Sequence, residues 1–219
     1  MFEMQRNPMD LVRIAGGTLR DKDPLILTPD QFGRLLQHIS TEPHRTMVVV
    51  AMCLGLRRSE LAGLKWSDFD WILQEVLVQR GVIANRVDAV KTKKSKSRLP
   101  VDPVLITVLQ DWRKISQFNA DDDWVWASPF VAGEMPYYLN AVQCDYIIPA
   151  GKRAGLGMIG WHTLRHTYRS WMDNNGTPLG IQKDLMRHTD IKMTMNGYGS
   201  AMPKAMREAN SAVVRMVIQ

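Results

Sequence analysis

Two arginines stand where a phosphate could be held. Arg57 follows the most apolar stretch of the chain, in Gly55-Leu56-Arg57-Arg58-Ser59-Glu60-Leu61, and Arg165 lies in Trp161-His162-Thr163-Leu164-Arg165-His166, between two imidazoles. On a helix, His162 and Arg165 share a face. A guanidinium can bind two oxygens of a phosphate and an imidazole can donate to a third. Further on come Arg187-His188-Thr189-Asp190 and Met195-Asn196-Gly197-Tyr198-Gly199. A tyrosine is more often core than nucleophile, and a free phenol with a pKa near ~10 needs nearby cations or a base to lose its proton. Tyr198 is set apart by the glycines on either side, which suit an exposed backbone better than a packed helix interior. Lys91, Lys93, Lys94, Lys96 and Arg98 fall in one short run without an acid. Alone, such a run reads as a solvated loop; beside a phosphate site it reads as contacts to a polyanion.

Helices must carry most of these residues. Thr28-Pro29-Asp30-Gln31 has the cap, the first-turn proline and the capping-box Gln of a helix start, and the helix is expected to run to about His38. Pro43 to Leu54 predicts a buried helix, and Arg58 to Leu64 a short one. The pattern then turns β-like at Val76-Leu77-Val78 and Val82-Ile83. Asp88 to Thr92 and Arg98 to Val101 are expected as the arms of a hairpin with the basic run at its tip. Asp102 should cap a helix through Val104, Leu105, Val108, Leu109 and Trp112. Residues 119–138 look irregular, and helices are expected at 140–154, 162–174 and 178–187. At the end of the chain, Ala205, Ala209, Ala212, Val213, Met216 and Val217 share an apolar helix face, with Lys204, Arg207, Glu208, Ser211 and Arg215 off it. The expected class is mainly α with a small antiparallel β-sheet (α+β).

The 219 residues suffice for one domain with a real core. No apolar run is long enough to span a bilayer, and the N-terminus has no signal-peptide pattern. Cys53 and Cys144 read as buried free thiols rather than a disulfide, which with the other features suggests a cytoplasmic protein. The net charge of +6 favours a polyanionic partner.

The ordered set Gly-Leu-Arg-x-x-Glu-Leu at 55–61, a basic hairpin from Lys91-Thr92, His162-x-x-Arg165, His188 and Tyr198 resembles the tyrosine recombinase (phage integrase) family. The likeness runs from about residue 25 to the C-terminus. It implies a catalytic domain over 25–219, and a linker or tail at 1–24 belonging to a DNA-clamping domain that these residues do not include. It also implies that Arg57, Lys91, His162, Arg165 and His188 surround a scissile phosphate. Tyr198 would attack that phosphate, forming a 3'-phosphotyrosyl link without metal, ATP or other cofactor. Glu60 would brace the site, Lys91 would protonate the leaving oxygen, and Lys93, Lys94, Lys96 and Arg98 would touch DNA. The implied partners are double-stranded DNA and further protomers, as a tetramer in the synapse, with the last helix reaching a neighbour. The implied setting is cytoplasmic and nucleoid-associated, in a bacterium, phage or mobile element.

This sequence departs from the family pattern in two places. Arg187 precedes His188 where glycine is common, and His188 and Tyr198 are ten positions apart, one more than expected. Lys93, Lys94 or Lys96 could also take the place of Lys91. Three other readings remain at this point: a DNA-binding module that does not cut, a type IB topoisomerase-like enzyme, and a zinc hydrolase using His162 and His166. The last lacks the zincin Glu, because Thr163 follows His162.

Overall fold

A computed structural model of the chain describes residues 24–84, 86–89, 97–187 and 203–218. Helix α1 (Pro29–Gln37) begins as expected. The Gln31 amide donates to Thr28 Oγ1 at 3.2 Å, and the Thr28 amide donates to the Gln31 side chain at 2.9 Å. The centre is α2 (His44–Leu54), in which every residue except Arg45 is buried. A helix that is apolar nearly all round has to be enclosed. Here α3 (Arg58–Ala62), α4 (Pro103–Ile115), α7 (Trp161–Asn174) and α9 (Pro203–Val217) all pack on it.

The sheet corrects one expectation. Strands β1 (Phe69–Asp70), β2 (Glu75–Val78) and β5 (Ser97–Pro100) form an antiparallel sheet in the order β1-β2-β5, with Val76 opposite Leu99. Strands β3 (Arg80–Ile83) and β4 (Arg86–Ala89) form a separate hairpin. Of the two expected hairpin arms, 88–92 and 98–101, Asp88 and Ala89 of the first pair with β3 and the second pairs with β2, while residues 90–92 lie outside the described residues. Val76, Val78 and Leu99 are buried, so β5 lies where its apolar residues complete the face begun by β2. The hairpin sits against α3. Gly63 and Gly81 allow the close approach: a Cβ on Gly63 would stand 2.7 Å from the Arg80 carbonyl oxygen. The buried Asp68 carboxylate ties the same region, accepting from Arg80 at 2.5 Å and from Gln79 at 2.7 Å.

Asp102 caps α4 by accepting from the Val104 amide at 2.9 Å. The expected helix at 140–154 is α5 (Leu139–Val142) and α6 (Ile148–Arg153), joined by a π-helical turn over Gln143–Ile147. In α7 the buried face is Trp161, Leu164, Arg165, Thr167, Tyr168, Trp171 and Met172, while His162, His166 and Arg169 are exposed. Helix α8 (Leu179–Met186) follows. Cys53 is buried and Cys144 exposed, both as free thiols; the expectation of two buried thiols holds only for Cys53.

The amphipathic segment at the end of the chain is the helix α9. It packs on its own domain, against α1, α2, α7, α8 and β5. Asn210, Val213, Val214 and Val217 are buried. Asn210 accepts from the Tyr168 hydroxyl at 2.9 Å and donates to the Pro100 carbonyl at 3.2 Å. Arg207 reaches Glu75 at 2.8 Å and the Leu73 carbonyl at 2.9 Å. Each buried valine contributes about 1.5–3 kcal/mol, against a total stability of roughly 5–15 kcal/mol for a domain. Truncation after Ser200 is therefore expected to abolish the cooperative thermal transition or lower it by tens of degrees. Lys204→Ala, on the exposed face, should leave it unchanged. A truncated chain that melts like the full one would show that α9 is not part of this core.

Candidate functional site

The loop between α2 and α3 begins at Gly55, which ends α2 at φ 54° and ψ 35°. This is the left-handed region that glycine enters without a Cβ penalty. Space demands glycine as well, because a Cβ here would collide with the Tyr168 ring. The turn leaves the Gly55 carbonyl free to accept hydrogen bonds and starts α3 two residues on, with Arg57 as its N-cap.

Three arginines and one carboxylate meet around that carbonyl. Arg165, buried on α7, donates through Nη1 to Gly55 O and through Nη2 to Met186 O at 2.5 Å. Arg187, just past α8, donates to Gly55 O at 3.1 Å and to Glu60 Oε2 at 2.8 Å. Arg57 donates through Nη1 to Glu60 Oε1 at 2.7 Å and through Nη2 to the Arg187 carbonyl at 3.2 Å, and its backbone amide donates to Glu60 Oε2 at 2.8 Å. The sequence-predicted Arg57 and Arg165 are thus brought together from α3 and α7, and Glu60 bonds Arg57 and Arg187 beside them.

The electrostatics favour an anion. Burial alone would raise the Glu60 carboxyl, but the charge and hydrogen bonds of Arg187, with the hydrogen bonds from Arg57, outweigh it and hold the group at about 2. Burial, then repulsion from Arg187 and Arg57, pushes Arg165 down to about 10, so it stays charged at neutral pH. Three guanidiniums face a single carboxylate, so the cluster carries excess positive charge. Arg57 is its open side, with 40% of its side chain exposed. Arg165 uses two N–H groups on carbonyls, and a guanidinium has five.

His162 stands exposed one turn before Arg165, its ring edge-on to His166 at 5.5 Å between centroids. Burial, then the positive charge of His162, Arg165 and Arg169, lowers the His166 pKa. Among the described residues, no group of three or more His, Cys, Asp and Glu is arranged to hold a metal. Arg98, expected on DNA, lies exposed on β5, 3.7 Å from Glu75. Lys91, Lys93, Lys94, Lys96, His188 and Tyr198 lie outside the described residues. Sequence reasoning missed Arg187 as a member of the cluster. The signal was its place at a position where glycine is common, which marked it only as a departure.

Comparisons with known proteins agree on the kind of domain. The chain is 28% identical over 191 residues to the "Tyrosine recombinase XerC-like" protein of Caldanaerobacter subterraneus subsp. tengcongensis, covering 73% of this chain and 46% of that protein. It is 24% identical to the ICEBs1 integrase of Bacillus subtilis, covering 94% of this chain and 58% of the relative. The chain thus spans about half the length of these curated relatives. Among solved structures, the Tn1549 transposon integrase in complex with transposon right end DNA superposes with a TM-score of 0.70 at 21% identity, covering 94% of this chain and 71% of that one. The XerA recombinase superposes with a TM-score of 0.61 at 22% identity, covering 87% of this chain and 65% of that one. These two likenesses establish the fold: a mainly helical domain with a small antiparallel sheet, as in tyrosine recombinases. The motifs gathered around Gly55 fall within the stretch, residues 26–204, matched by the model of the Phage integrase family, and the chain belongs to that family.

Proposed function

We propose that this chain is the catalytic part of a site-specific DNA recombinase or integrase, one that cleaves and rejoins DNA through a 3'-phosphotyrosyl link on Tyr198 without metal or ATP. The observation that carries this reading is the convergence of Arg57 and Arg165, from distant parts of the chain, on one loop with excess positive charge. In the displacement, the Tyr198 oxygen attacks phosphorus and the 5'-oxygen of the next nucleotide leaves. Negative charge on the non-bridging oxygens is stabilised by Arg57 and Arg165 in fixed positions. His162 and His188 act as further donors, or as the base that relieves Tyr198 of its proton. The new bond keeps a phosphoester, so the reverse attack by a DNA hydroxyl reseals the strand without ATP.

Residues 25–219 form the catalytic domain in this reading, and residues 1–24 lead from a clamping domain. The partners are double-stranded DNA, contacted by Lys93, Lys94, Lys96 and Arg98, and further protomers on that DNA. No helix among the described residues is long and apolar enough to cross a membrane, and the place of action is the cytoplasm. The experiment offers the chain nicked suicide DNA substrates in EDTA and looks for a covalent protein–DNA adduct on a denaturing gel. A module that only binds would shift the DNA on a native gel and form no adduct.

Lys91 supplies the proton to the leaving oxygen. Lys91→Ala should slow cleavage of an ordinary phosphodiester by roughly 10²-fold or more, the usual scale of a general acid. A substrate with sulfur at the bridging position should restore it, because a thiolate leaves without a proton. If the sulfur substrate rescues a Lys93 variant instead, the acid is Lys93.

A further inference from the structure

Arg187 is held in a conformation that its own type disfavours. It ends α8 at φ 53° and ψ 45°, in the left-handed region where glycine alone avoids a Cβ clash. Glycine at this place would satisfy the backbone, so the arginine side chain must have its own reason to be there. That side chain is only 6% exposed, and each of its three nitrogens has a partner. Nη1 reaches the Leu185 carbonyl at 2.7 Å, Nε and Nη2 reach Glu60 Oε2 at 3.2 and 2.8 Å, and Nη2 also reaches Gly55 O at 3.1 Å. The Arg187 carbonyl meanwhile accepts from Arg57 Nη2 at 3.2 Å. One residue therefore joins the C-terminus of α8, the end of α2, the bracing carboxylate and the open arginine.

The charge count gives this arrangement a consequence. Glu60 touches both Arg57 and Arg187. With Arg187 present, a full guanidinium offsets the carboxylate from its buried side. Without it, the carboxylate would act on Arg57 alone, drawing the guanidinium in and cancelling its charge where a phosphodiester would need it.

We propose that Arg187 is a positioning residue of this site: it takes up the charge of Glu60 and ties the α2–α3 loop to the end of α8, leaving Arg57 and Arg165 to act on a phosphodiester. This rests on the reading of the cluster as a strand-transfer site. Arg187 need not touch the DNA.

The test compares the full chain with Arg187→Gly, Arg187→Lys and the double variant Glu60→Gln/Arg187→Gly. Single-turnover cleavage of a suicide substrate is measured alongside DNA affinity and thermal stability. Arg187→Gly relieves the backbone, so a residue that served only the backbone would lose nothing on this change. Cleavage by Arg187→Gly is expected to fall about 10- to 100-fold at nearly unchanged affinity, the scale of a misplaced catalytic group. Arg187→Lys, which keeps the charge but not the planar fork, should fall between the two. The double variant should cleave several-fold faster than Arg187→Gly, because the uncompensated carboxylate is gone. Wild-type cleavage by Arg187→Gly overturns the proposal, as does a double variant no faster than the single one.

A second readout needs no activity. The Glu60 carboxyl, followed by NMR in the free protein, should titrate near 2 in the wild type and move up towards the ordinary carboxylate range in Arg187→Gly. An unchanged titration overturns the charge clamp even in an active enzyme. A wild-type chain that shows this shift but forms no adduct keeps the clamp and removes the strand-transfer reading.

Discussion

Tyr198→Phe is expected to abolish covalent attachment to DNA while DNA binding stays close to that of the wild type. The substitution keeps the ring and removes only the oxygen that would bond to phosphorus. Binding comes chiefly from cationic side chains on phosphates, and these are untouched. The chain has four other tyrosines, and their surroundings make the comparison informative. Tyr168 is fully buried and donates its hydroxyl to Asn210, and burial raises its pKa. Burial, then Tyr146, raises Tyr137. Tyr138 accepts from Asn140 at 3.0 Å, and Tyr146 stacks on His44 at 3.5 Å between ring centroids. Tyr168→Phe is the control: it should lose about 1 kcal/mol of stability with the hydrogen bond and still form the adduct. Adduct from the Tyr198→Phe chain on a denaturing gel would remove Tyr198 as nucleophile.

Arg57→Ala and Arg165→Ala should each slow single-turnover cleavage by roughly 10²–10³-fold, the loss of one preorganised charge at the transition state. The double variant should be far less impaired than the product of the two effects, because both act on one phosphate. The structure adds a way to tell the two apart. Arg57 is the more open, and Glu60 keeps Arg187 as a partner when Arg57 is removed. Arg57→Ala should therefore melt close to the wild type. Arg165 is buried and satisfies the carbonyls of Gly55 and Met186. Removing it takes the donor from the Met186 carbonyl, at a cost of about 1–3 kcal/mol if that oxygen stays dry, while Gly55 O keeps Arg187. Arg165→Ala should show a clearly lower melting temperature as well as slow cleavage, and Arg165→Lys should recover only part of either. Near-normal cleavage by a folded variant takes that arginine out of the site.

Local patterns carried much of the architecture. The Thr28–Gln31 box, the Asp102 cap and the apolar run of α2 are short-range signals, and the helices stand where those signals put them. Strand pairing was less legible. The segments around Asp88 and Arg98 look like two arms of one hairpin because they flank the same basic run, but each finds its partner elsewhere, β4 on β3 and β5 on β2. A strand's own sequence specifies which of its faces is apolar, not which neighbour will cover the edge. Helix α9 teaches the same lesson. Its amphipathic face demanded a partner, and whether that partner is a neighbour or its own domain depends on the surface made by α2, α7 and β5.

The sequence by itself determined which chemical groups are available and in what order: the Gly55-Leu56-Arg57 turn, His162 and Arg165 on one helix, and Glu60 three residues after Arg57. Those are facts of residue type and helical spacing, so one dimension suffices to state them. Only the tertiary structure decided that Arg165 reaches the carbonyl of Gly55, 110 positions away, and that Arg187 turns inward onto Glu60, 127 positions away. Such contacts depend on how α2, α7 and α8 cross, and that crossing is set by the burial of the whole core rather than by any segment in it. The same burial withdraws water from the cluster, so charges that would be screened at a surface act on one another at close range. The excess positive charge around Gly55 is therefore a property of the fold, though each arginine that supplies it was visible in the chain.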